Sequence, residues 1–287
     1  MRRLILAFAA LVALASPAFA APETITVKAG KTKRDAIVYA PAASPQARPV
    51  VLVFHGGGGS ADFMANRSAA LTRTLSGAGY IVVYMNGSTK RRTEKLRTWN
   101  AVHCCAYAAK AKINEAAYAD AVIETLDQRF DIDRTRIFLM GHSNGAMLSY
   151  RLAGAMKTTP RAIAPISGAI FADQPDVPDR TSIFMYHAVD DDVLSYSGHP
   201  DDKAERWRTA PHVGFVDAEA KLAGLKDCGA AAAAPAPAGL SATARTCAGG
   251  SVILATSAET GGHEWPARPK ADFRIEAALL AFFDSQR

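Results

Sequence analysis

The chain has 287 residues, 49% of them hydrophobic and 21% charged, with a formal net charge of +6 at neutral pH. That length can bury one large core and falls within the range of a single domain. The mild charge, without any interleaving of aromatic and basic residues, argues against a nucleic-acid partner.

The first element in chain order is a leader. Met1-Arg2-Arg3 gives a positive start, Leu4 to Leu14 an apolar stretch too short to span a bilayer comfortably, and Ala18-Phe19-Ala20 an A-x-A cleavage site. Residues 1–20 are therefore read as a signal peptide and 21–287 as the catalytic domain. Removal after Ala20 leaves 287 − 20 = 267 residues and a charge of 31 − 27 = +4, because Arg2 and Arg3 depart with it. No later segment is long and apolar enough to be transmembrane. The mature chain is expected to be secreted or periplasmic, without stable membrane insertion.

Glu23 to Val38 alternates and carries Lys28-Ala29-Gly30-Lys31 as a turn, which predicts an early β-hairpin. Pro49 to Phe54 reads as a buried strand, and His55-Gly56-Gly57-Gly58-Gly59-Ser60 follows it directly. Glycines free a backbone amide to approach a ligand, since no Cβ stands in the way. Such loops cradle phosphates when they read G-x-G-x-x-G with a ribose-binding acid beyond, or G-x-x-x-x-G-K-[ST]. Neither pattern is present, and no cofactor is expected. The other use of such a loop is half of an oxyanion hole, with the Gly57 N–H as the favoured donor and Gly56 and Gly58 beside it. A helix is predicted over 61–77. Lys90-Arg91-Arg92 with Lys95 and Arg97 reads as a solvated basic loop.

Gly141-His142-Ser143-Asn144-Gly145 carries the most chemistry. Arg136 to Met140 before it has strand character, and Ala146 to Ala153 after it opens a helix. A serine between strand and helix, with glycine two residues away on either side, describes a nucleophile elbow. The Asn144 N–H would then stand at a helix N-terminus, where developing negative charge is stabilised. Such an elbow requires an acid and then a histidine downstream. Ser182 to His187 reads as a buried parallel strand that ends near Asp190, Asp191 and Asp192, and spacing alone does not separate these three carboxylates. Ser251 to Thr256 reads as the last strand. Of the seven histidines only His263 follows it, on the loop Gly261-Gly262-His263-Glu264-Trp265-Pro266, before a closing helix over 272–283. His263 is therefore the expected base.

The four cysteines allow three pairings. Cys228 with Cys247 would close a loop around the Ala/Pro-rich stretch 229–239, a surface excursion. Cys104 and Cys105 are adjacent, and read either as a vicinal disulfide that stiffens a loop near the site or as two thiols. No further Cys/His pair has zinc spacing, so no metal site is expected. Trp99, ahead of the cysteine pair, and Trp265, two residues past the expected base, are candidates to stack on substrate. The segment 195–208 is expected over the cleft, within a lid or excursion region spanning 192–248. Helices over 61–77, 114–130, 145–156 and 272–283 alternate with strands, which predicts an α/β fold with a mostly parallel central sheet and helices on both faces.

Several pieces recur together in one order: His55 to Ser60, Trp99-Asn100 before Cys104-Cys105, Gly141 to Met147, His187 through Asp191, and Gly262 to Pro266. In that combination the chain resembles the secreted polyhydroxybutyrate depolymerase-like and feruloyl esterase-like α/β-hydrolases, over most of its length after the leader. The resemblance implies a serine ester hydrolase with Ser143 as nucleophile, Asp191 as acid and His263 as base. It favours Asp191 because the family's acid falls four residues after the strand-end histidine. The implied partner is an ester, either a polyhydroxyalkanoate oligomer or a feruloyl or acetyl ester of plant polysaccharide. The chain departs from the family at Ala146, Ala188 and Glu264, the last of which sets a carboxyl beside the base. A serine peptidase of the prolyl-oligopeptidase type shares the elbow and the residue order, but such enzymes bring a propeller for which this chain has no room. A non-catalytic binding protein on the same scaffold would be expected to lack a member of the set, and none is missing.

Overall fold

The computed structural model describes residues 21–30, 32–41, 46–90, 96–173, 176–199, 208–266 and 273–286. The leader, residues 91–95 of the basic loop and residues 200–207 of the segment expected over the cleft lie outside the described residues.

The chain opens with the hairpin β1 (Glu23–Ala29) and β2 (Thr32–Tyr39), closed at the Ala29–Thr32 pair. Next come β3 (Arg48–Phe54), α1 (Ala61–Arg67), α2 (Ala69–Gly77), β4 (Ile81–Met85), α3 (Ala106–Lys110) and α4 (Glu115–Arg129). Then follow β5 (Ile132–His142), α5 (Asn144–Ala155), β6 (Ala162–Ile166) and β7 (Ser182–Ala188). The last third holds β8 (Gly198–His199), β9 (His212–Val213), α6 (Phe215–Leu225), β10 (Ala232–Ala234), β11 (Leu240–Thr246), β12 (Val252–Ala258) and α7 (Ile275–Asp284).

Ten strands form one sheet in the order β1-β2-β4-β3-β5-β6-β7-β12-β11-β10. Pairing is parallel from β4 through β12, and antiparallel strands finish both edges. The parallel strands β3, β4 and β7 are buried at every position, as expected where helices cover both faces, whereas the edge strand β1 alternates. Alternation within β3 divides the core. Val50, Leu52 and Phe54 pack with α4, α5 and α6, while Val51 and Val53 pack with α1, α2 and α7. The fold is thus an α/β-hydrolase sheet with helices on both faces.

Two local details differ from the sequence reading. The helix predicted over 61–77 breaks at Ser68, whose Oγ donates to the Met64 carbonyl at 2.7 Å and accepts from the Tyr84 hydroxyl at 2.8 Å. A serine that back-bonds in this way bends or interrupts a helix. The Ala/Pro-rich stretch also contains a strand: β10 pairs with β11 and widens the central sheet, and Cys228 and Cys247 are joined by a disulfide at the base of that hairpin. Among the described residues no helix is long and apolar enough to cross a membrane.

Candidate active site

Ser143 is the single residue between β5 and α5, with φ 56° and ψ −121°. The left-handed φ of a non-glycine residue is the strain that an elbow imposes. The two flanking glycines answer to close backbone contact. A Cβ on Gly145 would stand 2.6 Å from the His55 carbonyl oxygen and closer still to that of Phe54. A Cβ on Gly141 would stand 2.8 Å from the Ala146 nitrogen. The strand, the turn and the first turn of α5 are packed backbone to backbone. Ala146 fits a site closed on its far side by Gly168, where a Cβ would come within 2.5 Å of the alanine methyl.

His263, on the loop after β12, reaches Ser143: its Nε2 lies 2.8 Å from Ser143 Oγ. Its Nδ1–H donates to Asp191 Oδ2 at 2.8 Å. Of the three adjacent aspartates, Asp191 is the one whose carboxylate meets His263. Asp190 turns instead to accept the Gly262 N–H at 2.7 Å, and Asp192 is exposed. The Asp191 side chain is fully enclosed, and its Oδ1 accepts the Val193 and Leu194 N–H groups at 2.9 and 2.8 Å. Its Oδ2 also receives Nε2–H of His187 at 3.0 Å, which is shared with the Leu194 carbonyl at 2.8 Å. Burial alone would raise this carboxyl. The hydrogen bonds from His187, His263 and Leu194 outweigh burial and hold it well below the usual carboxylate range.

The glycine loop lies against the start of α5: a Cβ on Gly57 would be 3.8 Å from that of Asn144. Gly58 N–H donates to the Arg97 carbonyl at 2.8 Å and Gly59 N–H to that of Gly56 at 3.1 Å. Among the described residues the backbone N–H groups of Gly57 and Asn144 have no hydrogen-bond partner. His55, fully buried, donates Nδ1–H to the Gly56 carbonyl at 2.7 Å and accepts the Gly87 N–H on Nε2 at 3.0 Å. Burial depresses its pKa to about 4. Burial, with the neighbouring His263 and Arg67, takes that of His142 down to about 3. Both rings are neutral at ordinary pH.

The two tryptophans are not placed for stacking on substrate. Trp99 is 0% exposed and Trp265 3%, so neither offers an open ring face. Trp265 sits in the core beside α7 and meets the His142 ring edge-on at 6.4 Å, anchoring the His263 loop. Trp99 packs between Phe54 and His55, with ring centroids 5.3 and 4.9 Å away. Glu264 does not face the His263 ring; it ion-pairs with Arg67 of α1. Cys104 and Cys105 are joined as a vicinal disulfide next to Trp99. Among the described residues no three His, Cys, Asp or Glu side chains are grouped to hold a metal.

Sequence reasoning missed three of these roles. His187 is a second donor to Asp191, and its spacing of four residues was the available signal. The Asn144 side chain grips Trp99, and Asp190 braces the His263 loop. Neither of these leaves a pattern in the sequence.

Residues 34–196, more than half of the chain, match the family described as esterase PHB depolymerase. The protein of Nocardia uniformis subsp. tsuyamanensis named as esterase NocK is 26% identical over 277 residues, covering 91% of this chain and 77% of its own. The bifunctional acetylxylan esterase/xylanase XynS20E of Neocallimastix patriciarum is 27% identical over 163 residues, 57% of this chain but 22% of that protein. Among solved structures, an acetyl xylan esterase from Aspergillus awamori superposes with a TM-score of 0.63 at 12% identity, over 91% of this chain and 99% of its own, which is a likeness of fold. With the matched region running from β2 through Ser143 and past Asp191, the chain belongs to the esterase PHB depolymerase family and is a carboxylic ester hydrolase.

Proposed function

We propose that the chain is an exported serine esterase in which Ser143 is the nucleophile, His263 the base and Asp191 the acid. The observation that carries this reading is the unbroken path from Asp191 Oδ2 through His263 to Ser143 Oγ, 2.8 Å at each step. Asp191 holds Nδ1 protonated and leaves Nε2 free to accept. As Oγ attacks the ester carbonyl, Nε2 takes its proton, and Asp191 stabilises the imidazolium. The oxyanion is held by the N–H groups of Gly57 and Asn144, aided by the positive end of α5. His263 then gives the proton to the departing alcohol, leaving an acyl-enzyme that water clears by the same steps.

The substrates proposed are polyhydroxyalkanoate oligomers or feruloyl and acetyl esters of plant polysaccharide. The family match, the order of motifs and a relative named as an acetylxylan esterase support that range. Action outside the cytoplasm, after loss of residues 1–20, is supported by the leader pattern and by two disulfides, which persist in oxidising compartments.

The test compares wild type with Ser143→Ala on p-nitrophenyl acetate and butyrate, methyl ferulate, acetylated xylan and 3-hydroxybutyrate oligomers. Turnover of any of these is expected to vanish with Ser143→Ala, and the best substrate assigns the ester class. Folded wild type inert on the whole panel, or a Ser143→Ala variant that retains activity, would overturn the reading.

A further inference from the structure

The two proposed oxyanion donors belong to different parts of the fold. Gly57 rides on the loop after β3, and Asn144 opens α5. One oxygen is held by both only if the two N–H groups converge, so their separation has to be fixed. Trp99 spans that separation. Its backbone N–H donates to Asn144 Oδ1 at 2.8 Å, and its carbonyl accepts from Asn144 Nδ2 at 3.2 Å. Its indole Nε1–H donates to the His55 carbonyl at 2.8 Å, at the root of the glycine loop. Trp99 is thus fastened to the elbow by its main chain and to the glycine loop by its side chain. All three residues are buried, where such bonds are strong and few alternatives compete.

The span is braced from outside. Cys105 N–H donates to the Trp99 carbonyl at 2.9 Å. The Arg34 guanidinium lies 5.5 Å from the Trp99 ring centroid and pairs with buried Glu115 at 2.6 Å. Glu115 Oε1 in turn accepts the Asn100 N–H at 3.1 Å. The His55 ring ties the same loop to Gly56 and Gly87.

We infer that Trp99 is a positioning residue of the oxyanion hole, setting the gap between the Gly57 and Asn144 amides through the Asn144 side chain and the His55 carbonyl. Its ring is fully buried, and it acts through those two residues. The inference rests on the reading of Ser143 as nucleophile and of those two amides as donors.

Trp99→Phe and Asn144→Ala test it. The first keeps a ring but loses the indole N–H; the second removes both side-chain bonds to Trp99, with a longer one to Cys104 Sγ, and leaves the Asn144 backbone amide in place. Active sites are counted by complete titration with diethyl p-nitrophenyl phosphate. Per titrated site, each variant is expected to lose about 10- to 100-fold in kcat on p-nitrophenyl butyrate, with KM within about twofold, because a misplacement near 1 Å costs on that order. Affinity for an alkyl trifluoromethyl ketone, whose serine adduct carries an oxyanion, is expected to fall in parallel with kcat. Residues that merely supported the fold would lower the melting temperature and the titratable fraction, with kcat per site and ketone affinity unchanged, and that result would overturn the inference. Wild type that neither titrates nor turns over ester would remove the nucleophile reading, and this inference with it.

Discussion

Ser143 and His263 meet across 2.8 Å, yet they are held in different ways. The serine side is backbone against backbone: glycines at 141 and 145 let β5, β3 and α5 approach where no Cβ fits. The histidine side is a loop beyond the sheet, tied by Asp191 to the ring, by Asp190 to Gly262 and by Arg67 to Glu264, with Trp265 sunk in the core. Steric fit fixes Ser143, while polar tethers and one anchor fix His263. Substitutions of the close-packed glycines on the serine side should therefore act first on folding, and those on the histidine side first on rate.

The largest effect is expected at the tether to the ring itself. Asp191→Asn keeps the shape but removes the charge and the acceptor that fix the His263 tautomer. A kcat loss of about 10⁴-fold is expected, by analogy with triads in which the acid becomes an amide. Asp190→Asn should cost far less, since it loosens the loop without touching the ring. Rates per titrated site decide the matter; equal losses in the two variants would show that the acid role is not confined to Asp191.

On the serine side, Gly145→Ala forces a methyl against the Phe54 and His55 carbonyls. Backbone cannot step aside as a flexible side chain can, so destabilisation above about 3 kcal/mol is expected, or a melting temperature lower by about 10 °C. Thermal unfolding checks it. A variant of wild-type stability would mean that the elbow relaxes freely and that the contrast between the two sides is wrong.

Acid should also act on the serine side before it reaches the carboxylates. His55 is neutral and buried, with its pKa depressed from 6.5 to about 4. Between those values the unfolded chain binds more protons than the folded one, so stability rises with pH. The contribution is fully present above about 6.5 and is lost as pH falls toward 4. From pH 7 to 5 the loss from this one ring is about 2 kcal/mol. A melting temperature that does not fall between pH 7 and 5, a window in which carboxylates hardly titrate, would contradict the buried neutral ring.

What could be read in the sequence follows the same division. Gly141, Ser143 and Gly145 were legible because steric demand writes itself as fixed spacing, and His263 because strand order leaves one histidine after the last strand. Asp191 was not separable from Asp190 and Asp192 by spacing, since the amides of Val193 and Leu194 turn its carboxylate inward. Trp99 read as a stacking ring because an aromatic near a site suggests a ligand. Its burial is decided by Asn144 and His55, 45 and 44 residues away along the chain. The β10 strand was hidden in an alanine run without β-branched residues, where pairing with β11 supplies what propensity does not.

The weakest tether gives the smallest effect. Glu264 directly follows His263 in the chain, a place that suggested influence on the ring. Its carboxylate instead leaves the ring and pairs with Arg67, across side chains that are 70% and 37% exposed. Exposed pairs contribute about 0–1 kcal/mol, because water screens the charges and two long side chains lose freedom. With Asp190 and Trp265 still holding the loop, Glu264→Gln is expected to leave kcat within about twofold and stability within about 1 kcal/mol. Steady-state rates and thermal unfolding at low and at 0.5 M salt read both. A loss of tenfold or more in kcat would show that the ion pair, and not the buried tryptophan, is what keeps His263 over the serine.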